Sequence, residues 1–379
     1  MMGPFFPVGV PAPEGDVVDR EDFIPTVAAR LADGQSLVLS GPRRTGKTSV
    51  AREILRRLRR DGLYVAQIDL FAVSDVLAFA YALIDSCLEN VGLRGVLARA
   101  GDKLGRLTGT ARFELALAGL KLSAGTRARK ENPEDLLANA LELPERLAAR
   151  DGRRMVVLFD EFQEVTRLGG PDLLKRLRAH FQDQPHVAYF FLGSKYGLLK
   201  TLFASNREAF YRFAAWINLP PIPQAAWTEY LTRKFTERNI RLLPDAADTL
   251  VSLTEGHPYD TMSVASAAYY AARELGLSEI DTTTVRLAYE RAMLELEPVF
   301  TETLEAAART PVARSILFRL AAGQGPYAKG GTGADHSQRV RRALKELVDA
   351  GILVQLGRGQ YRFTEPAFRD FLSRLVAGT

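Results

Sequence analysis

The stretch Ser36-Leu37-Val38-Leu39-Ser40-Gly41-Pro42-Arg43-Arg44-Thr45-Gly46-Lys47-Thr48 decides how this chain is read. A short apolar run closes on a glycine, and Gly41 to Thr48 meets the pattern G-x-x-x-x-G-K-[ST] at every defined position. The spacing has a chemical reason. Glycines let backbone N–H groups wrap phosphate oxygens with no Cβ in the way. Lys47 then reaches the β- and γ-phosphates, and Thr48 offers a hydroxyl to Mg²⁺. The helix expected from Thr48 to Arg60 adds the positive end of its dipole. Strand, glycine-rich turn and helix in this order is the context a phosphate-binding loop requires.

Further apolar runs extend the pattern outward: 64–70, Met155 to Phe159, Val187 to Leu192, and a weaker fifth at Trp216 to Leu219. Continuous apolar strands between helices predict a parallel sheet covered on both faces. The third run ends in Asp160-Glu161. A carboxylate at a buried strand end can hold Mg²⁺, the role expected of Asp160. Glu161 points another way and can polarise an attacking water. Lys47 and Asp160 are expected to meet only if their strands are neighbours. The fourth run ends at Gly193-Ser194-Lys195, where Ser194 is placed to sense the γ-phosphate or position the water, the plain alternative being a strand-to-helix turn.

A long helical stretch, 75–150, with softer spots at 92–109 and 123–133, separates the second and third runs. Pro220-Pro221-Ile222-Pro223 marks a boundary, because proline stops both helix and strand. Helices are expected after it at 224–238, 245–254, 260–275 and 282–308, the last capped by Asp281. From Pro311 the order is helix (312–322), glycine-rich loop (323–333), helix (337–350), hairpin (352–363) and a closing helix (366–376). Helix, helix, hairpin is the order of a winged helix-turn-helix. The expected fold class is therefore α/β: a P-loop core over 1–220, a helical lid over 221–310, and a winged helix over 311–379.

Composition bounds the function. The 379 residues are 47% hydrophobic and 25% charged, an ordinary globular mix. The net charge is +5. Residues 311–379 hold eleven basic and five acidic side chains, a net +6, so residues 1–310 sum to −1. A local basic excess favours a polyanion, nucleic acid first. Arg339, Arg341, Arg342 and Lys345 fall on the second helix of that unit, Arg358 at the hairpin tip and Arg362 on its return strand. Guanidiniums there suit phosphate and guanine, while winged helices also bind proteins. Cys87 is the only cysteine, in an apolar helix that predicts a core position. The four histidines are scattered, which argues against zinc and against a Ser-His-Asp hydrolase. The apolar run 76–84 is too short to span a membrane, and the N-terminus lacks the features of a secretory signal. A cytoplasmic location is the expectation.

GPRRTGKTS (41–49), LFDEFQE (158–164), FLGSKYGLL (191–199) and EGHPY (255–259) resemble the archaeal-type P-loop ATPase family, which belongs to the STAND ATPases and is related to AAA+ proteins. The resemblance covers 5–371. It implies a core sheet free of an ABC-type insertion, with ATP held between core and lid. It implies that Asp19, Arg20 and Glu21 lie near the adenine. Gly41, Pro42, Arg43, Arg44, Thr45, Gly46, Lys47, Thr48 and Ser49 would cradle phosphate, Asp160 would serve Mg²⁺ and Glu161 the water. Pro258, in Gly256-His257-Pro258, would stand against base or phosphates. Arg212 sits where relatives carry Tyr-Gly-Arg, here without the glycine. The nuclease-like extension of many relatives is not expected. Arg43 and Arg44 are read as phosphate contacts, as contacts to a neighbouring subunit, or as solvated charge.

The resulting expectation is an ATPase switch that relays its nucleotide state to a winged helix contacting double-stranded DNA or a partner protein. Assembly into a homo-oligomer, with an arginine supplied in trans, is part of it. The alternative is a DNA-binding regulator or scaffold with structural nucleotide and negligible turnover.

Overall fold

The computed structural model describes residues 4–91, 133–327 and 334–377. The expected soft spot at 92–109, nearly all of that at 123–133, and 328–333 of the glycine-rich loop lie outside the described residues.

Five strands form one parallel sheet: β1 (Leu37–Ser40), β2 (Tyr64–Asp69), β3 (Met155–Asp160), β4 (Val187–Gly193) and β5 (Ala215–Asn218), in the order β2-β3-β4-β1-β5. Every residue of β1, β3 and β4 is buried. That is why they read as unbroken apolar runs rather than alternating ones. The pleat sorts their side chains by parity. Leu37, Leu39, Val156, Leu158 and Phe190 pack beneath α1 (Phe23–Ala32) and α2 (Lys47–Arg60). Val38, Val157, Phe159, Tyr189 and Phe191 face α3 (Val76–Leu88), α4 (Pro133–Asp151), α5 (Val165–Phe181) and α6 (Tyr196–Ala204). Cys87 is buried on that second face, in α3.

The parallel register sets all strand ends on common edges. Asp69 stands opposite Asp160, and Ser40 opposite Gly193 and Asn218. This corrects one expectation: β4 lies between β1 and β3, so the strands of the loop and of Asp160 are not neighbours. The gap is bridged by α2. Its apolar stripe, including Val50 and Ile54, shares a core with Val65 of β2 and Val156 of β3. The helix thus leans away from β1, and its first turn reaches the tip of β3.

Beyond the proline-rich segment the chain is helical: α7 (Gln224–Thr236), α8 (Pro244–Thr254), α9 (Pro258–Leu275) and α10 (Thr282–Ala307). A two-residue parallel pair, β6 (Arg241–Leu242) with β7 (Glu279–Ile280), ties the loops between them. Asp281 caps α10, its carboxylate accepting the Thr284 N–H at 2.7 Å. Then come α11 (Pro311–Ala321), α12 (Ala334–Asp349), an antiparallel hairpin of β8 (Leu353–Gly357) and β9 (Gln360–Phe363), and α13 (Pro366–Ala377). One continuous core runs through α7 to α13, from Trp227 and Leu250 to Leu344 and Phe371. Phe6 and Val18 of the N-terminal segment belong to it as well.

Candidate functional site

The loop between β1 and α2 is built as its sequence requires. Gly46 takes φ 87°, a left-handed conformation that a side chain would strain, and starts α2 at Lys47. Thr45 Oγ1 donates to Pro42 O at 2.9 Å and tightens the turn. Lys47 is buried, and its Nζ donates to the same Pro42 carbonyl. Burial disfavours the ammonium and draws its pKa down to about 8, against the opposing pull of Glu161 and Asp160.

Thr48 Oγ1 donates to Asp160 Oδ2 at 2.9 Å across 112 residues of sequence. Burial raises the Asp160 pKa, and the Thr48 bond opposes that shift. A hydroxyl and a carboxylate side by side at the foot of a phosphate loop are the hard oxygen donors that Mg²⁺ takes. Among the described residues no three His, Cys, Asp or Glu side chains group to hold a metal by themselves. The pair therefore fits an ion that shares its shell with phosphate and water.

Glu161 adopts φ 51°, a left-handed turn that ends β3 and swings its carboxylate off the strand. Ser194 holds that carboxylate: its N–H reaches Oε2 at 3.2 Å and its hydroxyl reaches Oε2 at 2.8 Å. Gln163 Nε2 donates to the same oxygen. The neighbouring aromatic cluster fixes the turn, with Phe162 buried between Phe191 and Phe210. Each such ring contributes about 1.5–3 kcal/mol by leaving water.

These groups open on a cavity of about 440 Å³. One end holds the loop from Arg43 through Val50, with Glu161 and Ser194. The other end is apolar, walled by Val18, Ile222, Trp227, Pro258 and Met262. A polar, basic end joined to an apolar one suits a nucleotide. Trp227 Nε1 donates to Gly256 O at 2.9 Å, and Gly256 is left-handed at φ 64°. This sets Pro258 at the start of α9, where it lines the cavity.

The residues singled out from sequence divide. Arg43, Arg44, Thr45, Gly46, Lys47, Thr48, Ser49, Glu161, Ser194, Pro258 and Arg20 line the cavity. Gly41 and Pro42 support the loop from behind, and Asp160 stands under Thr48. Asp19 does not line it; its carbonyl accepts from Arg20 Nη1 at 2.7 Å. Arg212 corrects the expectation most clearly. It lies with Gly34, Gln35 and Ser36, which precede β1, and so at the opposite edge of the sheet from the loop. Arg44 also reaches the C-terminal elements. Its guanidinium pairs with Glu365 Oε2 at 2.9 Å and covers the Tyr259 ring at 4.4 Å.

Sequence reasoning missed three contributors. The N-terminal segment around Pro7 to Ala12 lines the cavity, anchored by Phe5 and Phe6 in the lid core and by the Ala12 N–H on Ser49 Oγ at 3.0 Å. The aromatic pair ahead of a proline-rich stretch was the available signal. Trp227 carried no local signal, and Gln163 was hidden inside its motif. In the C-terminal elements, Arg339, Arg341, Arg342, Lys345, Arg358 and Arg362 are all exposed. Arg342 pairs with Glu346 at 3.0 Å and Lys345 with Asp349 at 3.6 Å.

Known proteins place this arrangement. No curated protein matches the chain in sequence. Residues 20–191 match the AAA ATPase domain. A Walker-type ATPase of Pyrococcus abyssi superposes with a TM-score of 0.71 at 20% identity, over 97% of this chain and 99% of that one. The ORC2 protein of Aeropyrum pernix, solved as ADPNP-ADP complexes, gives 0.60 at 16% identity over 99% and 96%. The ORC1 protein of Aeropyrum pernix in complex with DNA gives 0.51 at 18% identity over 97% and 96%. Loop, sheet order and comparisons agree on the fold: the chain has the architecture of a P-loop NTPase, and its residues 20–191 resemble the AAA ATPase domain.

Proposed function

We propose that the protein is an ATP-hydrolysing switch whose nucleotide state is relayed to its C-terminal elements. The observation that carries the reading is the Thr48–Asp160 contact at 2.9 Å, with Lys47 and Glu161 on the same cavity. Lys47 and the loop N–H groups hold the β- and γ-phosphates. Thr48 and Asp160 are the residues that would hold Mg²⁺, which when bound neutralises charge on the phosphate oxygens. Glu161 orients the attacking water and takes up its proton, while Ser194 holds the carboxylate in place. The apolar slot around Trp227 and Pro258 takes the base.

On this reading the chain divides into core 1–220, lid 221–310 and winged helix 311–379, the last two sharing one hydrophobic core. We read α11, α12 and the hairpin as the winged helix, with Arg339, Arg341, Arg342 and Lys345 on the helix that enters the major groove of double-stranded DNA and Arg358 and Arg362 on the wing. The local charge of +6 supports that partner over a neutral protein surface. Contact between Arg44 and Glu365 supports the relay, since it joins the phosphate loop to the start of α13. Arg212 is exposed at the far edge, so in hydrolysis it can serve only a neighbouring copy in an oligomer.

The test is steady-state ATP turnover with and without duplex DNA at two salt concentrations, for wild type and Glu161→Gln. Turnover that rises with DNA, fades with salt and fails in Glu161→Gln is the expected result. Wild-type turnover in Glu161→Gln refutes the catalytic part. Glu161-dependent turnover that ignores DNA refutes the DNA part and points to a protein partner.

A further inference from the structure

Gln163 is buried to 2% exposure, yet its amide oxygen has no hydrogen-bond partner. Nε2 donates to Glu161 Oε2, while Oε1 is buried with no partner. That carbonyl lies against Gly193, the last residue of β4, where a Cβ would collide with it. The opposite amide orientation would set two acceptors together, so the donor faces the carboxylate. Sealing an unpaired carbonyl in the interior opposes folding. An apolar side chain of the same length would suit the aromatic cluster beneath it better. A group retained against stability needs another reason.

The reason is in the geometry of Glu161. Oε2 receives three donors: Ser194 N–H, Ser194 Oγ–H and Gln163 Nε2–H. None of these three reaches Oε1. One oxygen is therefore saturated and the other is left for a water and its proton. Ser194 approaches from the end of β4 and Gln163 from the turn after β3, so two donors on separate elements fix the plane of the carboxylate. Ser194 alone would hold that oxygen from one side only.

We propose that Gln163 is a positioning residue that, with Ser194, presents a single oxygen of Glu161 to the attacking water. The inference rests on the reading of Glu161 as the water-polarising carboxylate. It gives Gln163 an effect on turnover opposite in sign to its effect on stability.

The experiment uses the full chain and four forms besides wild type: Gln163→Met, Gln163→Asn, Glu161→Gln and the Gln163→Met/Glu161→Gln double variant. Methionine matches glutamine in length and offers no donor. Asparagine keeps the amide and falls one methylene short, so it covers the case in which methionine does not pack. ATP turnover, KM and the thermal midpoint are measured for each. For Gln163→Met and Gln163→Asn we expect kcat lower by about tenfold with KM unchanged, part of the gain an oriented base supplies. The midpoint of Gln163→Met is expected to hold or rise. In the Glu161→Gln background the Gln163→Met change should cost nothing further, because the carboxylate it orients is gone. Full kcat in both single Gln163 variants, beside a crippled Glu161→Gln, overturns the inference alone. So does an equal tenfold loss in both backgrounds, which would make Gln163 structural. Full turnover by Glu161→Gln itself overturns the underlying reading instead.

Discussion

Arg44 Nη1 and Glu365 Oε2 stand 2.9 Å apart although 321 positions separate them in sequence. The guanidinium belongs to the phosphate loop, and the carboxylate to the residue before α13. If bound phosphate draws on the same guanidinium, it competes with Glu365 for one cation. By linkage, whatever nucleotide does to the pair, breaking the pair does in reverse to nucleotide affinity. Glu365→Gln keeps the shape and removes the charge. It should tighten ATP binding by about two- to fivefold, the range of a partly exposed ion pair. Calorimetric titration of the two forms decides it, and equal or weaker binding by Glu365→Gln rules the competition out.

Lys47 gives a pH signature. Its folded pKa sits near 8, below the ordinary 10.5, because burial disfavours the ammonium. Below pH 8 the amine is charged in both folded and unfolded chains, and the folded one bears the cost of burying it. Between about 8 and 10.5 the folded chain releases its proton first, so this group makes the nucleotide-free protein more stable as pH rises. Phosphate needs the charged form, so ATP affinity should move the other way and fall by up to about tenfold per unit above pH 8. Binding isotherms across pH 7 to 9 measure it. A flat affinity would show that Lys47 keeps its proton.

Thr48 and Asp160 predict a metal dependence. Thr48→Val keeps the branched shape and deletes the hydroxyl. It should lower turnover by about 100-fold and shift half-saturation by Mg²⁺ to higher concentration. Chelating the metal should stop turnover in the wild type. Asp160 has a raised pKa, so Mg²⁺ affinity should weaken on acidification sooner than for an ordinary carboxylate. A Thr48→Val enzyme with unchanged Mg²⁺ response would separate the hydroxyl from the metal.

Gly197 predicts a steric effect far from the phosphates. It lies in the first turn of α6, where a Cβ would strike the Asp349 carboxylate at the end of α12. That carboxylate sits at the positive end of the α6 dipole. Gly197→Ala should turn the part-exposed Asp349 carboxylate aside, and with alanine's better helix propensity the net change in urea unfolding should stay within about 1 kcal/mol. A loss well above that would show that α12 itself has to move.

The parts legible in the sequence were those whose cause is local. Gly41 to Thr48 form their loop because glycine spacing and the helix start are set within eight residues. The strands were readable because burial on both faces leaves runs such as Met155 to Phe159. Strand order was not readable, since nothing within β1 or β3 records that β4 stands between them. Arg212 went to the wrong edge for the same reason: its neighbours Gly34 and Ser36 are brought to it by the β1–β5 pairing alone. β6 and β7, at two residues each, are shorter than any period. Gln163 looked like one polar residue among acids, because its burial depends on a glycine thirty positions later.

The polypeptide passes between its two halves near Val18 to Phe23 and again near Leu219 to Ile222. Arg20 fastens these passages together, its Nη2 donating to Pro220 O at 2.8 Å from a buried position. A leaf hung on two adjacent pins can swing about one axis and cannot twist. Because the lid and the C-terminal elements share one core, any swing of the lid would carry both together and would have to break the Arg44–Glu365 pair. The width of the nucleotide cleft and the placement of α12 are then two readings of one angle.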